Sequence, residues 1–339
     1  MHVKSKLLII PLLLSFVLVF TGRAEAGGIP LKVVILTTYT VEDIGRVPMK
    51  YSLEIKRWYD RNFADAEYYR VRGTDSYLYI KDGLAFITIA KGKSGSVRSV
   101  SALLKDKRFG FADAYFIVTG GASVPPHIAS TGSVCIAEWV LDREYRTSVV
   151  KKGKKKIVVA KSGSFFRLND NLARWALLLN RNTKLADNAR AARHRNLYKA
   201  ESAKSAPSIY LGTSVTASPK RTGRESSRFA ERLCVQHSAG RYGVLQEEDN
   251  AIAYVLKQSG HLNRLLIMRS GIDFDQTPHE TSQLTASGAF AIGAVNNYRA
   301  AAPLVKVILH NWSQWKSGVP AFDTGRFSQS HEGHLHRPE

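Results

Sequence analysis

The residues best suited to chemistry are four acids in one short part of the chain: Glu247, Glu248, Asp273 and Asp275. The first two precede an apolar run at 251–256, which predicts a helix. The other two follow a buried-looking run at 264–269, which predicts a strand. An α/β sheet binds ligands beyond the carboxyl ends of its strands. The sequence therefore predicts a ligand site where this helix begins and this strand ends.

Each acid has a chemical role that its position favours. A carboxylate at a helix N-terminus is favoured by the helix dipole, and Glu248 there can accept hydrogen bonds from two vicinal hydroxyls, as a ribose offers. Asp273 at a strand end can donate a proton to a leaving nitrogen base. The alternative is structural: Glu247, Glu248 and Asp249 would be a solvated helix cap and Asp273 a turn residue. The acids alone leave both interpretations open.

The N-terminus predicts an exported protein. Lys4 and Lys6 precede an uncharged stretch at 7–20, and a small-residue cleavage site follows, ending at Ala26. This order is that of a signal peptide at 1–26. The apolar stretch is short for a membrane span of about 20 residues, although a retained anchor is the alternative. We expect a periplasmic or extracellular protein.

The charge predicts anionic partners. The chain has 49 Lys and Arg against 28 Asp and Glu, a formal charge of +21, and residues 1–26 carry little of it. Such a charge favours association with an anionic envelope surface or polymer. The lysine-rich run at 151–156 lacks interleaved aromatic residues, so it predicts no specific nucleic-acid site. Its flanks alternate like strands, which favours a hairpin with a solvated tip.

Alternating strand and helix patterns predict an α/β fold, a three-layer αβα sandwich around a central mixed sheet. We expect one domain at 27–320 and a flexible polar tail at 321–339. The patterns predict strands at 31–36, 77–79, 84–90, 113–118, 134–140, 157–160, 208–211 and 264–269. They predict helices at 48–63, 97–104, 167–179 and 184–198, and a helix pair within 281–316. Glycine-containing stretches at 119–123 and 212–214 predict strand breaks, and Asp82-Gly83 predicts a hairpin.

Several other chemistries find little support in the sequence. No G-x-x-x-x-G-K-[ST] phosphate loop and no G-x-S-x-G elbow is present. We predict no cofactor and no metal, and interpret the histidines at 331–336 as part of a frayed terminus. Cys135 and Cys234 fit either one disulfide or two buried thiols.

Four further segments, at 119–134, 246–253, 269–275 and 311–320, carry a resemblance in their order and spacing. From about 31 to 320 the chain resembles the nucleoside phosphorylase fold, and most closely the purine nucleoside permease family. The resemblance implies a purine nucleoside ligand, with Glu248 on the ribose and Asp273 near the base. It implies further nucleoside-binding residues, namely Glu247, Gly120, Gly121, Ser123 and Asp275.

Departures from the superfamily pattern bear on the reaction. The phosphorylase branch has a phosphate-holding arginine where this chain has Val118, and the first loop, at 37–42, lacks the expected glycine, so phosphorolysis is disfavoured. Glu42 falls where the hydrolytic branch carries a water-activating glutamate, although a plain loop acid is the alternative. The permease family often has an amide at the position of Asp273, so the aspartate here favours catalysis.

Three functional hypotheses remain. The chain is an exported nucleoside-binding protein involved in uptake, a purine nucleoside hydrolase, or a cationic protein that adheres to the envelope. The first of these agrees best with the family resemblance. Phe165, Phe166 and Trp175 are either base-stacking or core residues, and association into oligomers is left open.

Overall fold

A computed structural model describes residues 28–38, 53–74, 76–144, 146–151, 154–159, 165–217, 222–279 and 287–322. The predicted signal peptide, the loop that carries Glu42 and the histidine-containing tail lie outside these residues.

Fourteen strands are present in the described residues. In chain order they are β1 Ile29–Pro30, β2 Val33–Thr37, β3 Glu67–Arg70, β4 Tyr77–Lys81, β5 Leu84–Thr88, β6 Phe109–Gly110, β7 Tyr115–Val124, β8 Val134–Asp142, β9 Arg146–Lys151, β10 Lys154–Val159, β11 Phe165–Arg167, β12 Ile209–Thr216, β13 Tyr242–Gln246 and β14 Leu265–Phe274.

The described residues also form α-helices and two short helical turns of other types. They are α1 Leu53–Trp58, continued by a π-helical turn at Tyr59–Phe63, α2 Gly92–Lys105, α3 Asp170–Leu179, α4 Ala189–Arg195, α5 Glu201–Lys204, α6 Arg224–Gln236, α7 Asp249–Gln258, a 3-10 turn at Leu262–Arg264, α8 Phe290–His310 and α9 Trp312–Trp315.

Ten strands form one mixed sheet. Its order is β11-β8-β12-β13-β7-β2-β5-β4-β3, and β14 pairs with both β7 and β8. Strand β14 runs parallel to β7 and antiparallel to β8. As a result β7, β13, β12, β8 and β14 close into a ring of pairings. Strands β2, β5, β4 and β3 extend from β7 as an open sheet, and β11 pairs with β8.

Helices cover both faces of the sheet because its strands are apolar on both sides. One face packs on α2 and α7 and contributes Val34, Leu36, Phe116 and Val118 to its core. The other packs on α1, α3 and α8 and contributes Val33, Ile35, Tyr115 and Ile117. The predicted αβα architecture with a central mixed sheet is confirmed.

Both predicted hairpins are present. Asp82 and Gly83 have positive φ angles of 53° and 80°, the conformation of a tight turn between β4 and β5. At the lysine-rich run, β9 and β10 pair antiparallel with Lys151 opposite Lys154, so residues 154–156 belong to β10 and not to the predicted tip.

The two predicted strand breaks are wrong. Strand β7 continues through 119–123 because β14 lies beside it and supplies hydrogen-bond partners along its length. Strand β12 continues through 212–214 because β8 and β13 pair with it on either side. Pairing with neighbouring strands outweighs the weak strand propensity of glycine.

The helix predicted at 184–198 is shorter than expected. It begins at Ala189, where the Asn188 side chain accepts the Ala191 N–H (2.8 Å). Upstream, the Asn296 side chain binds both the N–H and the C=O of Ala186, so this backbone pairs with α8 instead of forming a helix. Helix α6 and strand β13 are elements that the sequence patterns do not predict.

Cys135 and Cys234 are both buried free thiols. Burial raises the pKa of Cys234 to about 12, so this thiol is a packing group and a weak nucleophile. Within the described residues, no helix combines the length and apolarity needed to cross a bilayer.

Candidate functional site

A cavity of about 260 Å³ lies where β2, β7, β13 and β14 end and where α1, α2, α7 and α8 begin. Its volume is near the lower end of the range for small-molecule sites, about 300–1,000 Å³. The lining residues are Thr38, Glu54, Lys91, Gly121, Ala122, Leu245, Gln246, Glu247, Glu248, Ile272 and Phe290. Three carboxylates and several apolar side chains thus share one cavity at the expected edge of the sheet.

Glu248 is the N-cap residue of α7, as the sequence predicts, but only 4% of it is exposed. One carboxylate oxygen accepts the Gly92 N–H at the start of α2 (3.1 Å), and the other lies 3.4 Å from a guanidinium nitrogen of Arg269. Burial raises the pKa of Glu248, and the charge of Arg269 opposes that rise. The alternative of a solvated cap is wrong for this residue.

Arg269 contacts the carboxylates of both Glu248 and Asp249. Its guanidinium is fully buried and donates to Asp249 through Nε (3.0 Å) and Nη2 (2.5 Å), and to the Thr38 hydroxyl through Nη1 (3.0 Å). Asp249 is itself fully buried and accepts a further hydrogen bond from Ser214 (2.6 Å). Burial opposes the charge on Arg269, but Asp249 and Glu248 keep its pKa above the ordinary value.

The start of α7 is capped by side chains from the neighbouring strands. The Gln246 side-chain oxygen accepts the N–H groups of Glu248 (2.6 Å) and Asp249 (2.8 Å), and the Thr216 hydroxyl accepts that of Asn250 (3.0 Å). Because these donors are satisfied within the protein, the backbone at Glu248 is held in place and its carboxylate is directed by Gly92 and Arg269.

Gly120 and Gly121 lie within β7, not in a turn. At Gly120 a Cβ would stand 2.5 Å from Nη1 of Arg269, so the missing side chain makes room for the guanidinium. At Gly121 a Cβ would stand 2.7 Å from Ile272, and this glycine lines the cavity. The first glycine supports the charged network and the second shapes the wall.

Glu54 is a site residue that the sequence analysis does not single out. It lies in α1, is only 6% exposed, and accepts the Gly121 N–H through one oxygen (2.8 Å). In the sequence it appears as an acid within a helical pattern, and nothing there reveals that its partner belongs to β7.

Glu247 lies at the cavity mouth. Its carboxylate pairs with Lys91 (2.9 Å), and the two side chains are 13% and 60% exposed. It is therefore more accessible than Glu248, and the lysine offsets part of the negative charge of the opening.

Asp273 lies beside the cavity wall, one residue after Ile272. A register shift between Gly271 and Asp273 places Asp273 opposite Ser123, whose hydroxyl donates to its carboxylate. Ile272 is the inserted residue, and it is the one that faces the cavity. The structure thus pairs the predicted Ser123 and Asp273 with each other, adjacent to the cavity lining.

Asp275 lies further from the cavity, in the protein interior. It is fully buried and accepts a hydrogen bond from the Tyr242 hydroxyl (2.9 Å). Burial raises its pKa to about 6, although the hydrogen bond from Tyr242 lowers it in part. These contacts are typical of a structural acid.

The remaining sequence candidates lie elsewhere. Val118 is buried in the sheet core, Phe166 is a core residue, Phe165 stacks on His237 (4.2 Å), and Trp175 packs on Trp315 (6.0 Å). None of them is among the residues that line the cavity.

Comparison with solved structures identifies the fold as nucleoside phosphorylase-like. The chain is similar to 5′-methylthioadenosine/S-adenosylhomocysteine nucleosidase of Neisseria meningitidis, with 16% identity and a TM-score of 0.51, covering 82% of this chain and 100% of the other. It is also similar to futalosine hydrolase of Helicobacter pylori, with 12% identity and a TM-score of 0.54, covering 82% and 98%.

Sequence comparison gives the family. A sequence model of the purine nucleoside permease (NUP) family matches residues 30–320, so the chain belongs to this family. It is 27% identical over 266 residues to a probable purine nucleoside permease of Schizosaccharomyces pombe, a match that covers 68% of this chain and 76% of that protein. The family resemblance read from the sequence is confirmed.

Proposed function

We propose that this chain is an exported protein that binds purine nucleosides in the cavity and takes part in their uptake. The observation that carries the proposal is the position of Glu248: a buried, oriented carboxylate facing a cavity that also has apolar walls. Family membership supports the same ligand class.

The ribose would bind at the acidic end of the cavity. Glu248 already accepts the Gly92 N–H and lies near Arg269, so its carboxylate is held in one orientation with acceptor capacity left over. Two vicinal hydroxyls match such a group, because each can donate to a different lone pair. Glu247 and Glu54 add acceptors within the same cavity.

The purine would bind against the apolar walls. Ala122, Leu245, Ile272 and Phe290 provide them, and an aromatic ring such as that of Phe290 stacks well on a flat base. The combination of one polar and one apolar end orients a nucleoside, since only one direction pairs its hydroxyls with the acids.

Export is the part of the proposal that depends on the sequence of residues 1–26. A protein that binds nucleosides outside the cytoplasmic membrane would capture them for a separate transport step. Fractionation of cells that express the intact chain tests this part, because a protein that stays in the cytoplasm contradicts it.

Calorimetric titration with inosine, adenosine and uridine tests the binding. We expect the two purine nucleosides to bind in buffer without phosphate and uridine to bind more weakly, because it covers less of the apolar wall. Phosphate should leave the purine affinities unchanged. A chain that binds none of the three would contradict the proposed function.

A second candidate is hydrolysis of the N-glycosidic bond, favoured by the acids beside the proposed base and sugar positions. The hydroxyl of water would add to C1′ of the ribose, and the bond from C1′ to the base would break, with a proton supplied to the base by Asp273. Glu54 or Glu42 would orient the water and accept the proton that it loses, and Asp273 would regain its proton from solvent. Chromatography of inosine incubated with the protein tests this candidate. Release of hypoxanthine that is lost in Asp273→Asn supports hydrolysis, and tight binding without release argues for capture alone.

A further inference from the structure

A basic groove runs along the C-terminal half of α2. It has a volume of about 630 Å³, and four cations line it: Arg72, Arg98, Lys105 and Lys107. All four residues are exposed, and within the described part of the chain none of their side chains forms an ion pair. The cavity at Glu248 lies at the N-terminal end of the same helix, which is about 20 Å long at 1.5 Å per residue.

Asp106 is the one acid among the described residues that line the groove, and it is already neutralised. The Asp106 side chain is 2% exposed and holds the Arg108 guanidinium through Nε (2.9 Å) and Nη2 (2.6 Å). Arg108 lowers the pKa of Asp106 to about 2, so this pair stays intact over the ordinary pH range. The groove therefore presents an excess of positive charge. Helix α2 itself contains no acidic residue.

The floor of the groove distinguishes its partner from single-stranded nucleic acid. Val97, which is 36% exposed, adds apolar surface, and among the described residues that line the groove none is aromatic and able to stack on bases. Arginine forks match phosphate oxygens, and lysines add charge around them. Clustered basic residues on a helix are a recognised means of holding a protein to anionic lipid.

We propose that this groove docks the protein on an anionic phospholipid surface, with Arg72, Arg98, Lys105 and Lys107 around the lipid phosphates. The proposal is independent of what the cavity binds, and it gives the high net charge a specific location. Docking through α2 holds the protein at the membrane surface through a defined face.

Co-sedimentation with lipid vesicles tests the proposal. The full chain is compared with the variant R98Q/K105Q/K107Q on vesicles of phosphatidylcholine alone and of phosphatidylcholine with phosphatidylglycerol. We expect binding of the wild type only to the anionic vesicles, and a loss in the variant of about tenfold or more. Thermal unfolding of the variant near the wild-type midpoint verifies that it is folded.

A charge-matched control separates the groove from net charge. R57Q/R61Q/R299Q removes three exposed arginines beside a different cavity, so it lowers the charge by the same amount. We expect this control to retain nearly full vesicle binding. Equal losses in both variants would overturn the proposal, because binding would then follow total charge.

Two competitors complete the test. If inorganic phosphate binds the wild type but not R98Q/K105Q/K107Q, and anionic vesicles do not bind the wild type, the ligand is a free anion and the docking proposal is wrong. If a short RNA binds through the same residues more tightly than anionic vesicles, the proposal is also wrong.

Discussion

Arg269 in β14 and Asp249 in the first turn of α7 form an ion pair in which neither side chain is exposed to solvent. The pair joins the strand that carries Asp273 to the helix that carries Glu248. It thereby fixes the distance between the two acids that the sequence singles out.

We expect Asp249→Asn to lower the free energy of unfolding by about 3–5 kcal/mol, because it leaves a buried guanidinium without its main counter-charge. Chemical denaturation measures this loss. As a control, Glu201→Gln breaks the exposed pair with Lys204 and should cost less than about 1 kcal/mol. Similar small losses in both variants would show that the buried pair contributes little.

Glu248→Gln should weaken purine nucleoside binding by about tenfold or more, because an amide offers fewer and weaker acceptors to the ribose hydroxyls. Calorimetric titration with inosine measures the change. Glu225→Gln is the matched control, since it removes an exposed acid from the first turn of another helix. An affinity that is unchanged in Glu248→Gln would place the ribose elsewhere.

Nucleoside affinity should fall as the pH decreases, and should begin to fall at a higher pH than an ordinary glutamate would give. Burial raises the pKa of Glu248, and below that pKa the protonated carboxyl loses acceptor capacity. Glu54, Glu247 and Lys91 share the cavity, so the comparison needs Glu248→Gln, whose affinity should depend less on pH. If the affinities of the wild type and Glu248→Gln fell equally steeply with decreasing pH, the pH dependence would not come from Glu248.

Asp275→Asn should make stability less dependent on pH between about 4 and 6. Burial raises the pKa of Asp275 from 3.8 to about 6, so the folded state binds its proton more tightly than the unfolded state. Its contribution to stability therefore decreases as the pH rises through this interval, by up to about 3 kcal/mol. Urea unfolding at a series of pH values measures the difference between the two proteins, and identical pH profiles would contradict it.

Gly120→Ala should lower stability by about 1–3 kcal/mol and weaken nucleoside binding, because the new methyl group displaces the Arg269 guanidinium. Gly110→Ala is the control, since a Cβ there stands 3.6 Å from its nearest neighbour, an ordinary contact. Thermal unfolding and titration measure both effects. A Gly120→Ala protein that behaves like the control would show that the guanidinium moves freely.

The sequence predicts the sheet well where burial alone decides the element. Strands such as β2 and β14 are recognisable because apolar residues on both faces leave a continuous run. Glycines mislead the prediction of β7 and β12, since their flanking strands come from distant parts of the chain. Local propensity carries no information about such partners.

The site is predictable only in part for the same reason. Glu248 stands at a helix start that the sequence reveals, so its position could be inferred from neighbouring residues. The function of Gly120 depends on Arg269, and that of Glu54 on Gly121, which are contacts between distant segments. The roles proposed for Asp273 and Glu42 stay predictions.

The extra residue in β14, Ile272, determines on which face of the sheet each later side chain of that strand lies. Side chains alternate between the two faces of a sheet, so one inserted residue exchanges the faces of all later positions. Before Ile272 the strand places Arg269 in contact with Glu248. After Ile272 it pairs Asp273 with Ser123. A deletion of Ile272 would close the bulge and remove a side chain that lines the cavity, while the aspartate would still follow Gly271 into the position opposite Ser123. Strand length at this point is therefore as much a determinant of the site as residue identity.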